Sequence, residues 1–273
     1  MNPRPLTVLV VGATGSIGRL VVAEALRLGH AVRALVRDLG RARGLPQEAQ
    51  RVVGDLTRPQ TLSAAVEGID AIVFAHGSDG GGKAASEQVD YGGVRNVLQA
   101  LGGRQARIAL MTAIGVTNRQ RDYNRATQIH DWKRRGERLV RASGLPYTIV
   151  RPGWFDYNAA DQLRLVFLQG DTRQAGNPSD GVISRQQIAE VLVRSLTSGA
   201  ARGKSFELVA ERGAAPTDLE PLFAALDADI AGALDAVRDT ANLPLADEPP
   251  RVREDLEVGS ARLHAAPATP IGE

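Results

Sequence analysis

The chain has 273 residues, a formal net charge of +2 and no cysteine. That length suits one large α/β domain or two small ones, and the missing thiols exclude disulfides, thiolate metal sites and thiol catalysis; no metal site is expected. Its 33 basic residues, nearly all arginine, are spread along the sequence against 31 acidic ones, so no basic stripe marks a nucleic-acid partner.

No apolar run approaches the ~20 residues that span a bilayer. The first residues lead directly into LTVLVVGA, from Leu6, which reads as a buried strand, and a cytoplasmic protein without membrane partner is expected. Ser16 to Leu28 has helical spacing and ends at Gly29. AVRALVR (31–37) and RVVGDL (51–56) are a second and third strand, and DAIVFAHG, IALMTAIG and PYTIVRPG are further β-branched runs, with helical segments at 84–102 and 125–143 between them. Ser184 and Gln187 form a capping box for IAEVLVRSL, and KSFELVA supplies a last strand. Apolar strands alternating with helices predict a Rossmann-type, doubly wound parallel sheet covered on both faces, over residues 1–210. Beyond it, Thr217 with Glu220 reads as another capping box, and the apolar stripe from Leu219 to Val237 predicts a C-terminal helical extension within 211–242. Residues 243–273, rich in proline, alanine and charge, read as an extended and partly disordered tail.

Between the first strand and helix, VGATGSIG places Gly12, Gly15 and Gly18 in the setting that a phosphate-binding turn requires. The first permits the tight turn, the second lets a pyrophosphate approach the backbone, and the third lets helix and strand pack closely. The helix N-terminus adds open N–H groups and partial positive charge. Arg37 ends the second strand, where a carboxylate would bind the ribose hydroxyls of NAD; an arginine there suits the 2′-phosphate of NADP. Asp38 follows directly, so NAD stays open beside NADP.

GATGSIG, VRALVRD, VVGDL, VDYGGVRNVLQA and SGLPYTIVRPG occur in an order that resembles the atypical short-chain dehydrogenases/reductases, in particular their NmrA-like and NAD(P)H-binding, flavin-reductase-like branch, over about residues 5 to 210. The resemblance implies that Gly12, Thr14, Gly15, Ser16, Ile17 and Gly18 surround the pyrophosphate, and that Arg37 holds the adenosine ribose. Asp55 and Leu56 would flank the adenine, Ala75, His76 and Gly77 would run beside the cofactor, and Pro152 and Gly153 would approach the nicotinamide. Lys133 matches the family's active-site lysine, which binds the nicotinamide ribose. The tyrosine expected four residues before it is replaced by Ile129, and of the usual hydroxyl positions after the fifth strand Thr112 remains.

Candidates for the missing proton donor are His130, near the lysine on a shared helix face, and Tyr123 and Tyr157 on flanking segments. In a chain with 4% aromatics, Trp154, Phe155 and Tyr157 cluster in the segment 154–184, which the resemblance implies is substrate-facing, and Trp132 adjoins Lys133. They are expected to line a pocket for a flat apolar ligand. Two functions follow: an NADP(H)-dependent oxidoreductase acting on a small aromatic carbonyl or quinone, or a non-catalytic NADP sensor of the NmrA type. A homodimer built through the C-terminal helix is compatible with either.

Overall fold

A computed structural model describes residues 4–265. β1 (Thr7–Val11) leads into α1 (Ser16–Arg27), followed by β2 (Ala31–Val36), β3 (Gln50–Val53) and β4 (Ala71–Phe74). A helical stretch then runs as α2 (Gly82–Ala85), a π-type turn at Ser86–Tyr91 and α3 (Gly92–Leu101). β5 (Arg107–Met111), α4 (Asp122–Thr127), α5 (Ile129–Ala142) and β6 (Tyr147–Pro152) come next. Short strands β7 (Trp154–Phe155), β8 (Arg164–Leu168) and β9 (Val182–Ile183) occupy the segment read as substrate-facing. α6 (Arg185–Ser195), β10 (Lys204–Glu211), α7 (Glu220–Ala224) and α8 (Pro250–Ala265) complete the chain.

The strands lie in the order β3-β2-β1-β4-β5-β6-β10-β9-β7, with β8 also paired to β10. The first seven are parallel, and β8 and β9 run antiparallel to β10. Because side chains alternate along a strand, β1 feeds two layers at once. Val8 and Val10 pack with Val22, Ile188 and Leu192 of α1 and α6, while Leu9 and Val11 pack with Val97 and Val140 of α3 and α5. The chain reverses its direction of winding between β1 and β4, which opens a crevice at their carboxyl ends where such sheets bind ligands. The Ser184–Gln187 capping box is present at α6.

The C-terminal region departs from expectation. The stripe over 219–237 forms only the five-residue α7, whose N-cap is Leu219; the Thr217 box is not formed, and the Asp218 carboxylate accepts from the Glu220 N–H at 3.0 Å. Ionic contacts hold the chain that follows. Asp229 accepts from Ser205 Oγ at 2.6 Å, Tyr147 OH at 2.9 Å, Arg141 Nε at 3.2 Å and the Val237 N–H at 3.0 Å, which folds 229–237 back on itself. Within 243–265, read as extended, α8 packs on α5 with Val252 and Leu256 buried, and Tyr91 OH donates to Asp255 at 2.7 Å. The expected disorder of the final residues lies outside the described ones. Among the described residues no helix is long and apolar enough to cross a membrane.

Behind the crevice lies a buried ionic cluster. Arg151 on β6, 1% exposed, donates to Glu137 at 2.6 and 3.0 Å and to Asp239 at 2.7 and 2.8 Å. Burial alone would raise the Glu137 carboxyl, but the Arg151 and Arg141 guanidiniums, with hydrogen bonds from Arg151 and Thr112, outweigh it and hold it at about 2. Glu207 goes the other way. Burial, with Asp171 and Asp239 adding, pushes it up to about 7 although Arg151 Nη1 is 3.3 Å away.

A carboxyl raised on folding stabilises fully below its unfolded value and loses that contribution as pH rises through the folded one. Glu207 should therefore cost stability between about pH 4.5 and 7, on the order of 3 kcal/mol at alkaline pH. Glu207→Gln is expected to melt higher than the parent at pH 8 and to match it near pH 5. Melting curves that keep the same pH dependence in both proteins would contradict this.

Candidate active site

The phosphate loop closes on itself before it meets a ligand. Gly12 takes φ +85°, and a Cβ there would stand 2.9 Å from Ala75 and His76 backbone atoms. At Gly18 a Cβ would stand 2.0 Å from the Gly12 carbonyl oxygen, so both positions exclude side chains. Gly15 is the N-cap of α1 and no side chain caps the helix, which leaves its first-turn N–H groups open toward the crevice. Ser16 is exposed there and Thr14 half-buried, whereas Ile17 is buried in the core and offers only backbone.

At the adenosine end, Arg37 is exposed, while the Asp38 carboxylate folds onto the Gly40 N–H at 2.8 Å. Asp55 accepts from the Thr57 N–H and hydroxyl at 2.9 and 2.8 Å; the bond from the Thr57 backbone chiefly keeps its pKa low, with the cations of Arg58 and Arg37 adding. The Leu56 carbonyl takes Asn96 Nδ2 at 2.6 Å. After β4, Ala75 is buried, and the His76 ring contacts the Val89 carbonyl at 3.0 Å. Burial pushes His76 down to about 4, so it stands neutral.

Lys133 is brought to the same crevice. Its Nζ donates to Asp90 Oδ1 at 2.7 Å, beside Gly77, and the other carboxylate oxygen of Asp90 is buried without a partner. Of the three ammonium protons one is engaged, and the others have no protein acceptor among the described residues. Asp90 lies in the π-type turn ahead of α3. The VDYGG stretch carried it, yet nothing in sequence spacing pairs it with a lysine 43 positions away.

The proton-donor candidates separate. His130 is 8% exposed, hydrogen-bonds the Asn118 backbone, and lies 6.1 Å edge-on from the exposed Tyr123 ring. Burial lowers its pKa, which disfavours the imidazolium that an acid would need. Asn124 Oδ1 caps α5 by accepting from the His130 N–H at 2.9 Å, and Gln128, at φ +56°, breaks α4 from α5. Asp171, fully buried, accepts from Gly115 N–H at 2.6 Å and from Thr117 N–H and Oγ1 at 2.7 and 2.8 Å; it fixes the loop after β5 and was not legible in the sequence. Tyr157 is exposed and meets Trp154 edge-on at 6.2 Å.

Pro152 ends β6 in the core, and Gly153 packs on the Gly181 carbonyl, 2.5 Å from where a Cβ would stand. Phe155 packs against the core with the Arg185 guanidinium 5.4 Å over its ring. Two expectations are corrected. Thr112 does not face the crevice: its hydroxyl donates to Glu137 at 2.7 Å inside the ionic cluster. Trp132 does not line a pocket, because the helix turns it inward, 5.4 Å from the Tyr91 ring and under Arg135 at 4.4 Å.

Residues 12–199 match the family model described as NAD(P)H-binding. The chain is 28% identical over 217 residues to the photosystem II assembly factor Ycf39 of Synechocystis sp., covering 78% of this chain and 65% of that one, so it spans less than two thirds of that relative's length. It is 27% identical over 265 residues to sanguinarine reductase of Eschscholzia californica, covering 81% of this chain and 96% of the other. Its fold resembles the solved structure of a candidate NAD-dependent epimerase/dehydratase of Bacillus halodurans, with a TM-score of 0.65 and 24% identity over 80% of this chain and 98% of that one. With the glycine turn, the strand order and the family match in agreement, the chain belongs to the NAD(P)H-binding family.

Proposed function

We propose that this protein is an NADP(H)-dependent reductase of a small, apolar, aromatic carbonyl or quinone. The carrying observation is Lys133, a half-buried ammonium held by Asp90 beside Gly77 at the mouth of the phosphate crevice, with free protons to offer ribose hydroxyls. Uncapped α1 and the two side-chain-free glycines fit a dinucleotide backbone. The nicotinamide supplies a hydride when bound. Lys133 orients it through the ribose, and the Trp154–Tyr157 pair offers an apolar edge for a flat substrate. Since His130 is held neutral, the proton for the product comes from Tyr123, Tyr157 or water, and a quinone needs no protein acid at all. The relative named for sanguinarine reduction supports a reductase. A cytoplasmic setting without nucleic-acid or membrane partner goes with this reading.

The second reading is a non-catalytic dinucleotide sensor. It is favoured by Ile129, a buried apolar residue at the tyrosine position, and by the relative named as an assembly factor. Mixing the protein with NADPH and a panel of quinones and aromatic carbonyls, while following cofactor absorbance, separates the two. Oxidation of NADPH with at least one of them is expected; tight NADPH binding without turnover on any would leave the sensor.

The preference for NADP rests on Arg37, whose guanidinium is exposed while Asp38 is tied to Gly40. Arg37→Asp should raise the dissociation constant of NADPH about tenfold or more, the worth of one charge-assisted phosphate contact, and leave NADH nearly unchanged. Calorimetric titrations showing unaltered NADPH affinity would remove the reason for choosing NADP.

A further inference from the structure

Arg185 and Ser16 stand 169 positions apart, yet they are the first residues of two helices that pack side by side, α6 and α1. Arg185 Nε donates to Ser16 Oγ at 3.1 Å, which places the guanidinium at the open first turn of α1. On its other side Nη1 donates to Asp156 Oδ2, and Asp156 Oδ1 accepts from the Arg185 backbone N–H at 3.1 Å. A guanidinium has five N–H protons. Two are engaged here, and three have no protein acceptor among the described residues.

We infer that Arg185 is a ligand for the pyrophosphate of the cofactor, held ready by Asp156, and that it passes from carboxylate to phosphate when the dinucleotide arrives. This rests on the reading of the crevice as a dinucleotide site. Asp156 is built to hold the place of an anion. It adopts φ +57°, a left-handed conformation that few non-glycine residues take, and its N–H is tied to the Ile183 carbonyl at 2.8 Å. That backbone aims both carboxylate oxygens at the start of α6, where helix charge and Arg185 meet. The pair is exchangeable, since its side chains are 35% and 49% exposed and an exposed ion pair is weakly held. A pyrophosphate on the first turn of α1, which carries two negative charges against one on Asp156, would offer Arg185 acceptors in the two-pronged geometry that guanidinium prefers.

The experiment measures dissociation constants of the full chain for NADPH, ADP-ribose and adenosine 2′-monophosphate, the last lacking the pyrophosphate. Arg185→Gln is expected to weaken NADPH and ADP-ribose by about tenfold or more and to leave adenosine 2′-monophosphate unchanged. Asp156→Asn, which removes the competing charge, should tighten NADPH and ADP-ribose several-fold, and the double variant should behave as Arg185→Gln alone. Thermal melting identifies any variant that fails to fold, and Arg185→Lys, which keeps the charge without the fork, should lie between parent and Arg185→Gln. Equal NADPH affinity in folded Arg185→Gln and parent overturns the inference. So does an Asp156→Asn protein as weak as Arg185→Gln, which would make the pair purely structural. If the parent itself binds neither NADPH nor ADP-ribose, the dinucleotide reading fails as well; if the parent binds and Arg185→Gln binds equally, the assignment of Arg185 alone is lost.

Discussion

Arg151→Met is expected to cost about 3–5 kcal/mol of folding stability, enough to unfold a large share of the molecules in a marginally stable domain. The substitution keeps much of the volume but takes from the buried Asp239 carboxylate its cation, while Glu137 keeps Arg141 at 3.3 Å. Desolvated carboxylates without a cation are the costly half of a buried ion pair. Pairing Arg151→Met with Asp239→Asn should recover part of the loss, because the stranded charge is removed. Acid provides an independent readout. Glu137, depressed to about 2 from an ordinary glutamate value, contributes stability above about pH 4.5 and loses it as pH falls toward 2. The parent should therefore lose stability over that window, and Arg151→Met, already deprived of the pairing, should lose less. Denaturant melts at neutral pH that differ by under about 1 kcal/mol would mean the cluster is wetter than its burial indicates.

This cluster also marks where sequence legibility ended. The sheet could be read because its parallel strands are short, mostly apolar and β-branched runs separated by helices, and the phosphate turn because three glycines keep a fixed spacing between a strand and a helix. Both signals are local. Arg151 meets Asp239 across 88 positions, and Arg138 meets Glu248 across 110. No period or motif records such a pairing, and nothing local in RRGERLVR shows that its four arginines are buried. The same pairings explain the C-terminal misreading: the apolar stripe from Leu219 to Val237 has helical spacing, but Asp229 and Asp235 are drawn to arginines on α5, and those bonds outweigh propensity. In the site, residue type was legible and direction was not. Thr112 and Trp132 carry suitable chemistry beside the crevice, yet each points into the protein interior. Asp90 and Arg185 act through partners 43 and 169 positions away and gave no local sign.

Lys133→Ala is expected to reduce turnover by a factor on the order of 10² or more and to weaken NADPH binding, because the hydride carrier loses the contact that sets its register against the substrate. The change also strands Asp90, whose second oxygen is already without a partner. Asp90→Asn is therefore the necessary companion: it removes the carboxylate and keeps the lysine, so a lesser defect there shows that the ammonium and not the ion pair carries the effect. His130→Phe should lower the rate by less than about tenfold. A general acid would cost about 10²–10⁴, but burial holds this imidazole neutral and one ring contact goes to the Asn118 backbone. Ile129→Tyr restores a phenol one helical turn before Lys133, and a gain of carbonyl reduction would follow if the hydroxyl alone were missing. Steady-state rates on quinone and carbonyl, each beside an NADPH titration, distinguish these outcomes. Lys133→Ala with parental affinity and parental rate would remove Lys133 from the site, and with it the strongest reason for placing a reaction at the crevice.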